Sequence, residues 1–279
     1  MPKLKVAIVT GSSSGIGFST AIMLARNSFY TYASMRNLSK ANALKDIAEK
    51  ENLPLQAIQL DVTDDKSVKD AVNKVLEEKK SIDVLVNNAG YGLMGCVEDL
   101  SIEEVKAQFE TNLFGVIRVT QAVLPIMRKQ KHGVIINVSS IAGRIAFPIS
   151  NAYASTKFAL EGLSESMRYE VEQFGIKVVL IEPGVITTNF VSAMVMPKKV
   201  LDQNSPYAQF MQKVNDGFKL KRENATDSEE VAKVILKAVT AENPEPRYLV
   251  GNDASTWMDT RKRMSDTEFA EFIKQDIMK

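Results

Sequence analysis

The chain has 279 residues, 45% of them hydrophobic and 25% charged, with a formal net charge of +1. That length suits one large α/β domain with a sizeable core, and the near-neutral balance gives no electrostatic case for a nucleic-acid or anionic-membrane partner. A single cysteine, Cys96, and a single histidine, His132, exclude an intrachain disulfide and a Cys/His zinc site, so no metal is expected and a reducing cytoplasm is the expected setting. In chain order, Met1-Pro2-Lys3-Leu4-Lys5 passes straight into an apolar run, which leaves no room for a signal peptide. No stretch of about 18 apolar residues predicts a membrane span. Residues 6–10, 30–35, 55–60, 84–87, 134–138, 178–181 and 248–250 read as strands, most of them continuously apolar, as expected when both faces of a sheet are covered. Between them, residues 16–26, 41–50, 66–80, 102–129, 152–174 and 229–239 carry helical spacing. This alternation predicts one α/β domain over 1–279, a doubly wound parallel sheet of about seven strands with helices on both faces. Residues 191–225, with Pro197 and Pro206, read as an irregular excursion and predict a substrate lid. Residues 252–279 predict a helical extension; Phe269, Phe272, Ile273 and Ile277 share a face that docks on its own chain in preference to a partner subunit.

The first strand ends in Thr10-Gly11-Ser12-Ser13-Ser14-Gly15-Ile16-Gly17, and a helix follows. Glycines here permit a tight turn and close approach of backbone N–H groups to a pyrophosphate, and the helix N-terminus adds about half a positive charge. The spacing is G-x-x-x-G-x-G rather than the commoner G-x-G-x-x-G. At the end of the second strand, an acidic residue would bind the ribose hydroxyls of NAD and repel a 2′-phosphate. Ser34-Met35-Arg36-Asn37 stands there instead, and the Arg36 guanidinium can offer a fork of donors to a phosphate. NADP(H) is therefore expected over NAD(H).

Tyr153 and Lys157 are four apart on a predicted helix and so share a face, and Ser140 follows the strand at 134–138. Together they can surround one cleft at the sheet's C-terminal edge. Reducing a carbonyl needs a hydride on carbon and a proton on oxygen. A free phenol titrates near pH ~10 and is a poor base at neutrality. An ammonium ~4 Å away, at an effective dielectric of ~20, would favour tyrosinate by roughly 4 kcal/mol and bring the phenol near ~7. The Ser140 hydroxyl can hold and polarise the substrate oxygen.

With these residues in view, roughly residues 4 to 251 resemble the short-chain dehydrogenase/reductase family, in its NADP(H)-preferring form. Thr10 to Gly17 resembles the family's cofactor loop, Asn87-Asn88-Ala89-Gly90 its motif after the fourth strand, and Asn112, Ser140, Tyr153 and Lys157 its four catalytic positions. The resemblance implies a Rossmann-like sheet. It also implies a cofactor site of Gly11, Ser13, Ser14, Gly15, Ile16, Gly17, Arg36, Asp61, Val62, Asn88, Ala89, Gly90, Tyr153, Lys157, Pro183, Gly184, Ile186 and Thr188. In that scheme Asp61 and Val62 meet the adenine, Lys157 also binds the nicotinamide ribose, and Pro183, Gly184, Ile186 and Thr188 hold the nicotinamide end. Asn112, with Gly115 nearby, would bend its helix and hold a water that connects Lys157 to solvent. The family implies a homodimer or homotetramer through residues 102–129 and 152–174.

Leu93, Met94, Ile145, Phe147, Phe190, Met194 and Met196 flank these motifs and suggest an apolar pocket. The expected substrate is a hydrophobic ketone, aldehyde or secondary alcohol. A 3-oxoacyl thioester reductase and a nucleotide-sensing protein without catalysis are the alternatives. A Ser-His hydrolase would need His132, which precedes a strand at the end away from the cleft.

Overall fold

In the computed structural model, which describes residues 4–188, 194–197, 199 and 205–278, the apolar runs form β1 (Lys5–Val9), β2 (Phe29–Met35), β3 (Leu55–Gln59), β4 (Val84–Asn87), β5 (Gly133–Val138) and β6 (Ile176–Pro183). A two-residue β7 (Ile186–Thr187), its partner β8 (Thr226–Asp227) and β9 (Arg247–Val250) follow. The main sheet runs β3-β2-β1-β4-β5-β6-β9 with every pairing parallel, the doubly wound arrangement that the alternation predicts. The order reverses between β1 and β4, and ligands of such sheets bind outside the strands' carboxyl ends at that point.

Helices α1 (Gly15–Arg26), α2 (Asn42–Glu51) and α8 (Ser228–Thr240) cover one face, where Leu24, Leu44 and Ile235 are buried against Val9, Ala33 and Val179. Helices α3 (Asp65–Lys79), α5 (Gly115–Gln130) and α6 (Asn151–Val171) cover the other, with Val72, Val123 and Met167 against Ile8, Leu85 and Ile135. Double coverage explains why β1, Lys-Val-Ala-Ile-Val, is buried from its second residue on.

The predicted single helix over 102–129 is three pieces: α4 (Ile102–Phe109), a π-helical segment Glu110–Phe114, and α5. Residues 191–225 are not irregular throughout, because Ala208–Arg222 forms helix α7. Met211, Val214 and Phe218 give it an apolar stripe, packed with Trp257 of α9 (Asn252–Arg263) and Ile273 of α10 (Asp266–Ile277). The C-terminal extension thus docks on its own chain, as the spacing predicts. Where α7 crosses α10, a Cβ on Gly217 would lie 1.7 Å from the Ile277 carbonyl oxygen.

Candidate active site

The end of β1 is tied to the end of β4 by one hydroxyl. Thr10 Oγ1 accepts from the Asn88 and Ala89 amides (2.9 and 3.0 Å) and donates to Val86 O. Asn88 Nδ2 returns to the carbonyls of Thr10 and Gly11 at 2.9 and 3.2 Å. The loop between β1 and α1 therefore lies flat on the loop after β4. Gly11 and Gly15 take φ of +68° and +59°, and a Cβ on Gly11 would sit 2.8 Å from Ala89 Cα. Ser14 is the N-cap of α1 and makes no side-chain capping bond. The first N–H groups of that helix are thus open to an acceptor from outside the chain, the electrostatic setting for an anion.

A cavity of about 510 Å³ opens over this loop. Its walls include Gly11, Ser13, Ser14, Gly15 and Ile16 below, and Arg36, Asp61 and Val62 at one end. Asn88, Ala89 and Gly90 line its middle, and Ser140, Tyr153, Lys157, Pro183, Gly184, Ile186 and Thr188 the other end. Every predicted site residue lines it except Gly17 and Asn112. Gly17 packs closely from behind: a Cβ there would come within 2.4 Å of Asn88 Nδ2 and 2.5 Å of Gly11 O. Asn112 is buried in the π-helical segment. Its amide pairs with both backbone groups of Tyr91, accepting from the N–H at 3.1 Å and donating to the carbonyl at 2.9 Å, and also reaches Thr156. The helix is interrupted here by the π-helical segment, and Asn112 holds the loop after β4.

Sequence reading missed Lys40, Thr63, Tyr91, Thr111 and Val195 in the wall. Lys40, four residues after Arg36, was legible as a second cation. Both are exposed, and among the described residues neither has a carboxylate partner. Gln108 went unnoticed although it braces the same loop as Asn112, donating to Tyr91 O and accepting from Leu93 N. Asp253, in the first turn of α9, accepts from Val185 N at 2.6 Å and packs on Gly184. Of the residues suggested for an apolar pocket, Leu93, Ile145 and Phe147 are buried, and Ile145 and Phe147 belong to the cluster around Trp257. Among the described residues none of them lines the cavity, and Phe190 lies outside the described residues.

The end of β5 and the next helix bring the reactive groups together. Ser140 is buried; its hydroxyl accepts from Ala142 N at 3.1 Å and bonds with the Tyr153 phenol. Lys157 Nζ donates to Val138 O at 2.8 Å and lies 5.7 Å from the Tyr153 ring centre. The expected lowering of the phenol by a close ammonium is not what the protein imposes. Burial pushes Tyr153 up to about 12, with the Ser140 hydrogen bond working against it. Burial also pulls Lys157 down to about 8, opposed by the charge of Glu161. The cause is shared, since desolvation disfavours the charged form of each, and the ammonium is directed at a carbonyl rather than at the phenol. His132 stands at the opposite end of β5, exposed and bound to Asp83. That position removes the hydrolase alternative.

The short chain dehydrogenase family model matches residues 5–199. The uncharacterized oxidoreductase YusZ of Bacillus subtilis is 42% identical over 251 residues, covering 88% of this chain and 89% of that protein. Human 17-beta-hydroxysteroid dehydrogenase type 1 is 38% identical over 252 residues, 87% of this chain and 76% of that protein. A short-chain dehydrogenase from Streptomyces avermitilis superposes with a TM-score of 0.83 at 33% identity, covering 97% of both chains. A metagenomic short-chain oxidoreductase in complex with NADP superposes with a TM-score of 0.70 at 26% identity, over 88% of this chain and 96% of that one.

Proposed function

The chain belongs to the short-chain dehydrogenase/reductase family, acting on CH–OH groups with NAD(P), and from that premise we propose an NADP(H)-dependent oxidoreductase that interconverts a hydrophobic ketone or aldehyde and its alcohol. The observation that carries this reading is that Ser140, Tyr153 and Lys157 form one end of the cavity that begins at Arg36 and crosses the glycine loop. The residues fit a dinucleotide: uncapped amides at α1 and glycines that no Cβ could replace suit a pyrophosphate, and Arg36 with Lys40 suits a 2′-phosphate. Asp61 and Val62 would take the adenosine end. Asn88, Ala89 and Gly90 would take the middle, and Pro183, Gly184, Ile186 and Thr188 the nicotinamide end. The NADP-bound structural neighbour and the steroid-named relative support the nucleotide and the apolar substrate class.

A bound nicotinamide nucleotide supplies the hydride or takes it up. Ser140 holds the substrate oxygen through its hydroxyl. Tyr153 gives that oxygen a proton in reduction and removes it in oxidation. A phenol held protonated by burial is ready for the reductive direction. Lys157 places a cation beside it, and Asn112 holds the Tyr91 loop that closes the wall. We read the assembly as a homodimer or homotetramer joined through residues 102–129 and 152–174, where Ile102, Phe114, Phe158 and Tyr169 stand exposed. The buried, lone Cys96 agrees with a cytoplasmic location, and among the described residues no helix is long and apolar enough to cross a membrane.

A panel of apolar ketones and aldehydes assayed with NADPH and NADH tests the reading. Turnover with NADPH, lost in Tyr153→Phe, is expected. Turnover confined to acyl-carrier thioesters would replace the substrate class, and NADPH binding with no turnover across the panel would leave a sensor.

A further inference from the structure

The bend between β6 and β7 supplies the walls assigned above to the nicotinamide, and it lies past the end of the sheet. Pro183, opposite Val250, is the last residue of β6 paired with β9. Pro183, Gly184, Ile186 and Thr188 line the cavity, while Val185 packs against the cluster that contains Trp257. Strand β9 cannot follow the bend, because at Gly251 the chain takes φ +111° and starts α9. Three hydrogen bonds hold it instead. Gly184 N donates to Val250 O at 2.8 Å, Thr226 N donates to Val185 O at 3.0 Å, and Val185 N donates to Asp253 Oδ2 at 2.6 Å. The third is the shortest, and its carboxylate acceptor makes it charge-assisted. Among the described residues it is the one hydrogen bond or ion pair of the Asp253 side chain. The carboxylate also fills the space beside two glycines: a Cβ on Gly184 would run into it, and one on Gly251 would lie 2.5 Å from its Oδ1. Asp253 is thus seated on two successive backbone units of the bend. One turn further along α9, the Trp257 ring lies 4.7 Å from that of Phe147, in the segment between Ser140 and Tyr153.

We propose that Asp253 is a positioning residue for the nicotinamide half of the cofactor cleft: its contact with Gly184 and Val185 fixes the backbone that leads from Pro183 to Thr188. This rests on the dehydrogenase reading of the site. It divides the cleft in two. Arg36 and Asp61 follow β2 and β3, on the far side of β1 from β6, and owe nothing to α9. Loss of the Asp253 contact therefore weakens a ligand that carries a nicotinamide and spares one that ends at the adenosine phosphates.

The test compares NADPH with adenosine 2′,5′-bisphosphate, which lacks the nicotinamide, by calorimetric titration of the full chain. Asp253→Ala is expected to weaken NADPH binding about 5-fold or more, with the bisphosphate close to wild type. Asp253→Asn keeps an acceptor oxygen for Val185 N and stays close to wild type for both ligands. Asp253→Glu keeps the charge but moves it by a methylene, so it follows Asp253→Ala and serves if the alanine variant does not fold. Asp259→Asn, the same charge change at an exposed site on α9, leaves both affinities in place. In parallel, kcat for carbonyl reduction falls in Asp253→Ala and is restored in Asp253→Asn. A folded Asp253→Ala or Asp253→Glu that holds NADPH as tightly as wild type overturns the proposal. An equal loss of both ligands overturns it too, since that marks a general structural role. A wild type that binds neither nucleotide removes the dehydrogenase reading, and the proposal with it.

Discussion

At the scale of single residues, the phenol and the ammonium hold opposite stakes in burial. Tyr153→Phe keeps the ring and its packing but removes the proton that the chemistry needs. A fall in kcat of about 10²- to 10⁴-fold is expected, with NADPH affinity close to wild type, measured by steady-state kinetics beside a binding titration. Arg36→Ala is expected to weaken NADPH binding about 10-fold or more and leave NADH nearly unchanged, because one charge-assisted phosphate contact is lost. Equal NADPH affinity in mutant and wild type would reject Arg36 as the selector. Lys157 also makes a stability prediction. Its folded pKa, about 8, lies below the 10.5 of the free side chain. Between these values the unfolded chain binds more protons, so the cost of burying the ammonium is fully present below pH 8 and fades as pH rises towards 10.5. The gap is worth about 3 kcal/mol. Against Lys157→Met, which lacks the titration, the wild type should therefore gain relative stability between pH 7 and 10, read from urea unfolding at each pH.

At the scale of elements, the site depends on junctions where two backbones meet closely. Gly17→Ala would press a methyl group into Asn88 and Gly11. A loss of about 1–3 kcal/mol and weaker nucleotide binding should show together in thermal unfolding with and without NADPH. The strands and the glycine loop were legible because each is a local pattern: a continuous apolar run, or glycines between a strand and a helix. The π-helical segment was legible only as a buried amide inside a helical stretch, Asn112, since one extra residue in a turn leaves the apolar spacing on either side intact. Helix α7 was hidden by Pro206 and by many charges, although Met211, Val214 and Phe218 are spaced as a helix face. The electrostatics of Tyr153 were the least legible. Four-residue spacing places Lys157 on the same face but does not say that its ammonium turns to Val138 O, nor that Glu161 is buried beyond it.

At the scale of the whole molecule, the exposed apolar residues of α4 and α6 are the test of assembly. Replacing both Phe158 and Tyr169 by Glu should shift a dimer or tetramer towards monomer in light scattering, while a wild type that is monomeric at working concentration removes the assembly proposal. The sheet, cavity and reactive end are contained in residues 5–250, and the last two helices pack with α7.

Helices α7 and α10 cross with the Gly217 backbone against Ile277 O, and Asp276 next to it accepts from both Lys221 and Trp257. A graft that imports residues 205–225 from a relative would bring a surface cut for a different terminal helix. Such a transplant should work only when residues 252–278 travel with it, which makes the two distant stretches a single unit of inheritance.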